Sequence, residues 1–246
     1  IMDVGPAAAI ETAKRLGITA PLQPYPSAVL GTNDVSPLDM ASAYATLANR
    51  GVQVPPVFVT KVVDRDGTVL FEHKHREHKA VATDVADATV AVLRQVVDRG
   101  TGVKAAIGRP VAGKTGTGQE WRDAWFVGFT PELATAVWVG FPEQQRSMVP
   151  PATRIRVTGG SWPAQIWQLY SAAALAQQPV SLFPPAPLSL LEGNGTGEPR
   201  PVPAVIGFPR ERAEAALVEA GFRVTRRAVA DDEYPPGITV AQYPAP

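Results

Sequence analysis

One run constrains this chain more than any other: Pro110-Val111-Ala112-Gly113-Lys114-Thr115-Gly116-Thr117-Gly118. A short apolar entry leads into a cation, two hydroxyls and an alternation of glycines. Beyond it, Trp125-Phe126-Val127-Gly128-Phe129 and Ala134-Thr135-Ala136-Val137-Trp138-Val139-Gly140-Phe141 carry the aromatic and β-branched residues of strands. Thr130-Pro131-Glu132 supplies a turn between them. Three consecutive strands predict an antiparallel meander, with the Lys-Thr-Gly-Thr run on its first strand.

That run suits the holding of a carboxylate and an oxyanion beside a sheet edge. Lys114 offers a compact cation, and Thr115 and Thr117 offer hydroxyl donors. Strand alternation puts Lys114 and Gly116 on one face and Thr115 and Thr117 on the other. Gly116 leaves room where a ligand backbone would approach, and the Thr117 N–H is a candidate oxyanion donor. A solvated hairpin is the plain competing reading of a lone Lys-Thr-Gly. A phosphate loop is another, since Gly108-x-x-x-x-Gly113-Lys114-Thr115 matches its pattern formally. Such a loop opens a helix, however, and here Gly116-Thr117-Gly118 leads on to a strand.

The surroundings add specificity. Lys114-Thr115-Gly116-Thr117, then Arg122-Asp123-Ala124-Trp125-Phe126-Val127-Gly128-Phe129-Thr130-Pro131, then Val137-Trp138-Val139-Gly140 resembles the penicillin-binding protein transpeptidases, in particular the bifunctional class A members. Leu30-Gly31, Ser36-Pro37-Leu38 and Ala43 to Gly51 match a further family segment that packs behind the active site. The family's serine acyl-transfer site has three signatures, Ser-x-x-Lys, Ser-x-Asn and Lys-Thr-Gly, and this chain carries only the third.

The resemblance implies an α+β fold: part of a β-lactamase/transpeptidase-like domain, an antiparallel sheet flanked by helices. It implies a serine that attacks a stem peptide ending in D-Ala-D-Ala, giving an acyl-enzyme that an amine of a neighbouring strand resolves into a cross-link. β-Lactams mimic that peptide. Lys114, Thr115 and Thr117 would bind the terminal carboxylate, Thr117 N–H would share the oxyanion hole, and Gly116 would give the substrate room. No cofactor is implied. The implied partners are peptidoglycan stem peptides, β-lactams and cell-wall synthesis or division proteins. The serine, its lysine and Ser-x-Asn are expected upstream of Ile1, so this chain is expected to be a fragment, inactive alone. Its parent is expected to be membrane-anchored upstream and to act at the extracytoplasmic face. Three other classes share features with it: a β-lactamase, a penicillin-sensing receptor without turnover, and a pure cell-wall binding module.

Composition narrows the classes further. The 246 residues carry a formal net charge of zero, which gives no reason to expect nucleic acid as a partner. Cysteine is absent, excluding disulfides, thiol nucleophiles and zinc–thiolate sites. His73, His75 and His78 sit among Lys74, Arg76, Glu77 and Lys79, which reads as a solvated loop more than a metal site. No apolar run is long enough to span a bilayer.

In chain order, Pro6 to Leu16 reads as a helix stopped by Gly17. A second has Ser36 as cap, Pro37 first, Asp39 closing a capping box and Gly51 as terminator, with Leu38, Ala41, Ala45 and Ala48 on the expected core face. Val57 to Val63 and Thr68 to Phe71 flank an Asp64-Arg65-Asp66-Gly67 hairpin turn. Thr83 is expected to cap a third helix, packed through Val85, Ala88, Val92 and Val96, and Gly100-Thr101-Gly102 closes it. By the resemblance, that loop borders the cleft. After a polar surface loop, Pro142 to Thr158, a last helix from Ala164 to Ala176 is expected to pack through Ile166, Leu169, Tyr170 and Ala173.

From Gln177 to Pro203, prolines and glycines mark a linker. A short helix, Arg210 to Ala220, and strands near Phe222 to Val229 and Gly237 to Val240 then resemble a PASTA domain lacking its final strand. Such modules are associated with peptidoglycan or β-lactam recognition, and a spacer without ligand is equally compatible. The expected division is residues 1–182 for the transpeptidase part, 183–200 for the linker and 201–246 for the PASTA domain.

Overall fold

The β-branched and aromatic runs between residues 112 and 140 form a three-stranded antiparallel sheet in the order β5-β6-β7: β5 Ala112–Thr117, β6 Asp123–Phe129 and β7 Ala134–Gly140. This is a computed structural model, and it describes residues 3–187, 190, 202–220, 222, 224 and 235–239. Among the described residues four α-helices accompany the sheet, α1 Pro6–Leu16, α2 Pro37–Ala48, α3 Thr83–Asp98 and α4 Trp162–Ala174. Two short antiparallel pairs complete this part: β1 Val52–Gln53 with β4 His78–Lys79, and β2 Lys61–Val63 with β3 Val69–Glu72. The chain divides into two compact units, Ile1–Leu191 and Glu192–Pro246.

Register sorts the sheet into two faces. Ala112 lies opposite Phe129 and Gly116 opposite Trp125 on one; Thr115 lies opposite Phe126 and Thr117 opposite Ala124 on the other. The first face packs on α2 and α3 through Leu47, Val90, Ala112 and Phe129, with Tyr44 edge-on to Phe129 at 5.9 Å. The second packs on α4 through Phe126, Ala164 and Trp167, with Val97 and Val111. Phe126 and Trp167 are fully buried and meet edge-to-face at 5.5 Å. The Trp167 indole N–H donates to the carbonyls of Gly128 at 3.2 Å and Thr135 at 3.1 Å, so the largest core residue also satisfies its polar atom.

Helix ends follow their chemistry. Ser36 and Asp39 form a reciprocal capping box on α2, and Gly17 closes α1 in the left-handed region. The Asp64 carboxylate accepts from the amides of Asp66 and Thr68, building the β2–β3 turn.

Helix faces differ from expectation in three places. On α2 the buried positions are Asp39, Ser42, Ala43, Thr46 and Leu47, while Leu38 and Ala45 face solvent. Hydrogen bonding makes this face buriable: Thr46 Oγ1 donates to the Leu16 carbonyl at 2.8 Å, and Asp39 accepts from Thr19. On α3 the core side is Ala86, Val90 and Val97, whereas Val85 and Val92 are exposed. Ala82, not Thr83, holds the N-cap position, and without a side-chain bond. On α4, Pro163, Ala164, Trp167 and Ser171 are buried, and Ile166, Leu169 and Tyr170 point outward. Small residues let the helix lie close on the sheet around Trp167.

Two loops are less loose than read. Within 142–158, Met148 and Val157 are buried against Ala124. Beyond α4, Arg109 donates to the carbonyls of Leu175, Gln178 and Pro179, Glu132 accepts from the Ser181 amide, and Phe183 stacks edge-on to Phe129 at 5.6 Å. This part of the proline-rich stretch is therefore docked on the first unit.

In the second unit, α5 Arg210–Glu219 buries Ala213, and Pro209 bridges Ile238. The Arg210 amide donates to Gly237 and the Thr239 amide to Phe208. The expected strand from Phe222 to Val229 lies almost wholly outside the described residues. Among the described residues no helix is long and apolar enough to cross a membrane.

Candidate active site

β5 pairs with β6 alone, so its other edge is open to no strand among the described residues. The Gly118 amide donates to the Asp123 carbonyl at 2.9 Å, one step beyond the Thr117–Ala124 pair. Antiparallel ladder bonds recur every second residue. Ala112, Lys114 and Gly116 therefore turn their backbone groups to β6, and Gly113, Thr115 and Thr117 turn theirs to the open edge. The Thr117 N–H is thus an outward donor.

The cation reaches the same edge. Lys114 is exposed, and its Nζ donates to the outward Thr115 carbonyl at 2.8 Å. No ion pair among the described residues involves Lys114. An unpaired ammonium, an outward N–H and two threonine hydroxyls on one strand make a site for an anion.

Both hydroxyls are held from outside the strand. Thr101, in the loop after α3, has its Oγ1 2.6 Å from Thr115 Oγ1. The Gly159 amide donates to Thr117 Oγ1 at 3.1 Å. Gly159 lies so close to the sheet that a Cβ there would stand 2.3 Å from the Trp125 carbonyl oxygen and 2.5 Å from that of Gly116. A Cβ on Gly160 would stand 2.2 Å from the Thr101 carbonyl oxygen. The approach of these two glycines is what lets the segment before α4 lie on the Thr115/Thr117 face.

The β5–β6 hairpin closes the far end. Glu120 and Trp121 both adopt left-handed backbone, φ 53° and 54°, an uncommon conformation for such side chains. It is held by the loop that follows β7, anchored by buried Met148 and Val157: Ser147 Oγ donates to the Glu120 carbonyl, the Met148 amide to that of Trp121, and the Arg156 guanidinium lies 4.3 Å from the Trp121 ring centroid. The Asp123 carboxylate sits where a Cβ on Gly118 would be, 2.3 Å from its Oδ2. Asp123 thereby packs against the start of the β5–β6 turn.

The structure thus brings Lys114, Thr115, Gly116 and Thr117 together on an open edge and adds Thr101, Gly159 and Gly160. Thr101 belongs to the loop expected at a cleft border. The two glycines stand just before α4, and their adjacency in the sequence is the one local sign of a close approach. Lys114 and Thr115 lie within β5 and no helix opens directly after them, so the phosphate-loop pattern has no structural counterpart. His75 meets Glu77 and His78 meets the Arg15 carbonyl, and no group of three potential metal ligands occurs among the described residues.

Comparison with known proteins identifies a family. Residues 24–147 match the family model of the penicillin binding protein transpeptidase domain. The chain is 42% identical over 139 residues to penicillin-binding protein 1A of Aquifex aeolicus, covering 56% of this chain and 19% of that protein. It is 34% identical over 185 residues to penicillin-binding protein 2D of Bacillus subtilis, covering 72% and 26%. Among solved structures, that of the penicillin-binding protein PonA1 from Mycobacterium tuberculosis superposes with a TM-score of 0.68 at 33% identity, covering 75% of this chain and 54% of that one. A second structure of PonA1, in complex with penicillin V, gives 0.66 at 34% identity, covering 74% and 53%. The chain spans only about a fifth to a quarter of the curated relatives named here.

Proposed function

Because this chain belongs to the penicillin-binding protein transpeptidase family, we propose that it is the carboxylate-binding part of a serine-type D,D-transpeptidase of class A. Its substrates are peptidoglycan stem peptides ending in D-Ala-D-Ala, and β-lactams are its inhibitors. The observation that carries this reading is the exposed Lys114 ammonium, with no carboxylate partner among the described residues, on a strand edge beside the outward Thr117 N–H and the hydroxyls of Thr115 and Thr117.

In this reading the ammonium and the hydroxyls hold the terminal carboxylate. That places the penultimate carbonyl so that its oxygen faces the Thr117 N–H as charge develops on attack. Such a preorganised donor contributes about 3 kcal/mol of transition-state stabilisation. Gly116 keeps the strand low beneath the peptide. The chain contains neither Ser-x-x-Lys nor Ser-x-Asn, so the nucleophile and its base come from another part of the protein. The reaction takes place at the extracytoplasmic face of the cell membrane, where its substrate lies. The second unit is proposed as a PASTA-type module, supported by α5 and the Pro209–Ile238 bridge beside it.

The test is release of D-Ala from a peptide ending in D-Ala-D-Ala, comparing this chain with a form extended through the two other signatures. The extended form is expected to turn over and this chain to be inert. Comparable rates for both would overturn the assignment of a half-site.

A further inference from the structure

The mechanism uses the Thr115 and Thr117 hydroxyls, yet neither is oriented by its own strand. Thr115 is met at 2.6 Å by the hydroxyl of Thr101, fourteen residues earlier, in the Gly100-Thr101-Gly102 turn that closes α3. This turn is itself fixed. The Gly102 amide donates to the Val96 carbonyl at 2.8 Å, and the Thr101 carbonyl is covered by Gly160 at a distance no side chain allows. Gly160 follows the residue whose amide holds Thr117. One pair of glycines therefore braces Thr101 and Thr117 together.

We propose that Thr101 is a positioning residue for carboxylate recognition, acting through the Thr115 hydroxyl. A threonine hydroxyl has one proton to give. For Thr115 to give its proton to a ligand carboxylate, the short contact to Thr101 must run the other way, with Thr101 donating and Thr115 accepting. The Thr101 hydroxyl then sets the rotamer of Thr115 and, by polarising it, makes it a stronger donor. Gly159 does the same for Thr117: an amide donor leaves the Thr117 proton free for the ligand. Both hydroxyls are thus biased toward donating before any ligand arrives. The ligand class this selects is one with a carboxylate, since an ester accepts weakly and carries no charge.

The inference rests on the transpeptidase reading, and its test separates the two. In the protein extended through its serine, acylation rate constants are measured with a penicillin and with the same penicillin esterified at its carboxylate, for the unmutated protein, Thr101→Val and Thr101→Ser. Loss of one hydrogen bond serving a charged group predicts a roughly tenfold slower reaction of Thr101→Val with the free acid. The ester is expected to react equally slowly with both proteins, and Thr101→Ser is expected to restore most of the acid's rate. Thr101→Ala serves as the second variant if the valine does not fold, with the same expectation. Equal rates of Thr101→Val and the unmutated protein toward the acid would overturn the proposal and leave the family reading intact. An equal loss toward acid and ester would also overturn it, since that marks general damage. An unmutated extended protein that no penicillin acylates would overturn both.

Discussion

Gly159 shows how a residue without a side chain sets the site. Its amide holds Thr117, and its missing Cβ lets the chain rest on the Gly116 and Trp125 carbonyls. Gly159→Ala must push that segment off the sheet by about an ångström, because contacts near 2.3 Å with backbone oxygen do not occur. The expected cost is about 1–3 kcal/mol of stability from overpacking, with a larger loss of penicillin reactivity than an equally destabilising change elsewhere; chemical denaturation and acylation rates measured together check this. Asp39 is a second residue-scale case. Burial raises its pKa, but donors from Thr19 and Ser36 outweigh burial and hold it below the ordinary carboxylate value. The unfolded chain then binds the proton more tightly, so Asp39 contributes stability fully above the unfolded pKa of about 4, lost as pH falls through the lower folded value. Asp39→Asn should flatten that part of the acid limb in urea midpoints measured against pH; an unchanged slope would contradict the argument.

At the scale of elements, what was legible was what adjacent residues decide. The capping box of α2, the Asp64 turn and the β5-β6-β7 meander are local chemistry, and all appear as the residues predict. So does the open-strand setting of Lys114 to Thr117. Helix orientation was not legible, because α2, α3 and α4 each offer two stripes that are apolar or small. On α4 the Ile166, Leu169, Tyr170 stripe is the more hydrophobic, yet Trp167 faces the sheet, since its indole N–H finds two strand carbonyls there. Only the tertiary partner settles such a choice. The contact of Thr101 with Thr115, and of Gly159 with Thr117, likewise joins segments that the sequence keeps far apart. The observed face of α4 predicts that Trp167→Ala costs about 3–5 kcal/mol, whereas Leu169→Ala stays within about 0.5 kcal/mol. Thermal or urea unfolding of the two variants would reveal a reversed order if the helix were turned the other way.

At the scale of the whole molecule, fold and chemistry divide the labour. The helices on both faces of the sheet enclose β6, and β6 in turn pairs with β5, whose other edge meets no strand among the described residues. The family match spans residues 24–147, which hold α2, α3 and the three strands of that sheet. In the function proposed, the β5 edge binds the carboxylate of a penicillin or stem peptide while the serine comes from elsewhere in the protein. Labelling with a fluorescent penicillin tests it most directly, comparing this chain, the form extended through the serine, and the extended form with Lys114→Ala. The expected result is no labelling of this chain, labelling of the extended form, and a roughly ten- to hundredfold slower reaction for Lys114→Ala, the loss that follows removal of a charge-assisted hydrogen bond. Undiminished labelling of Lys114→Ala would contradict it.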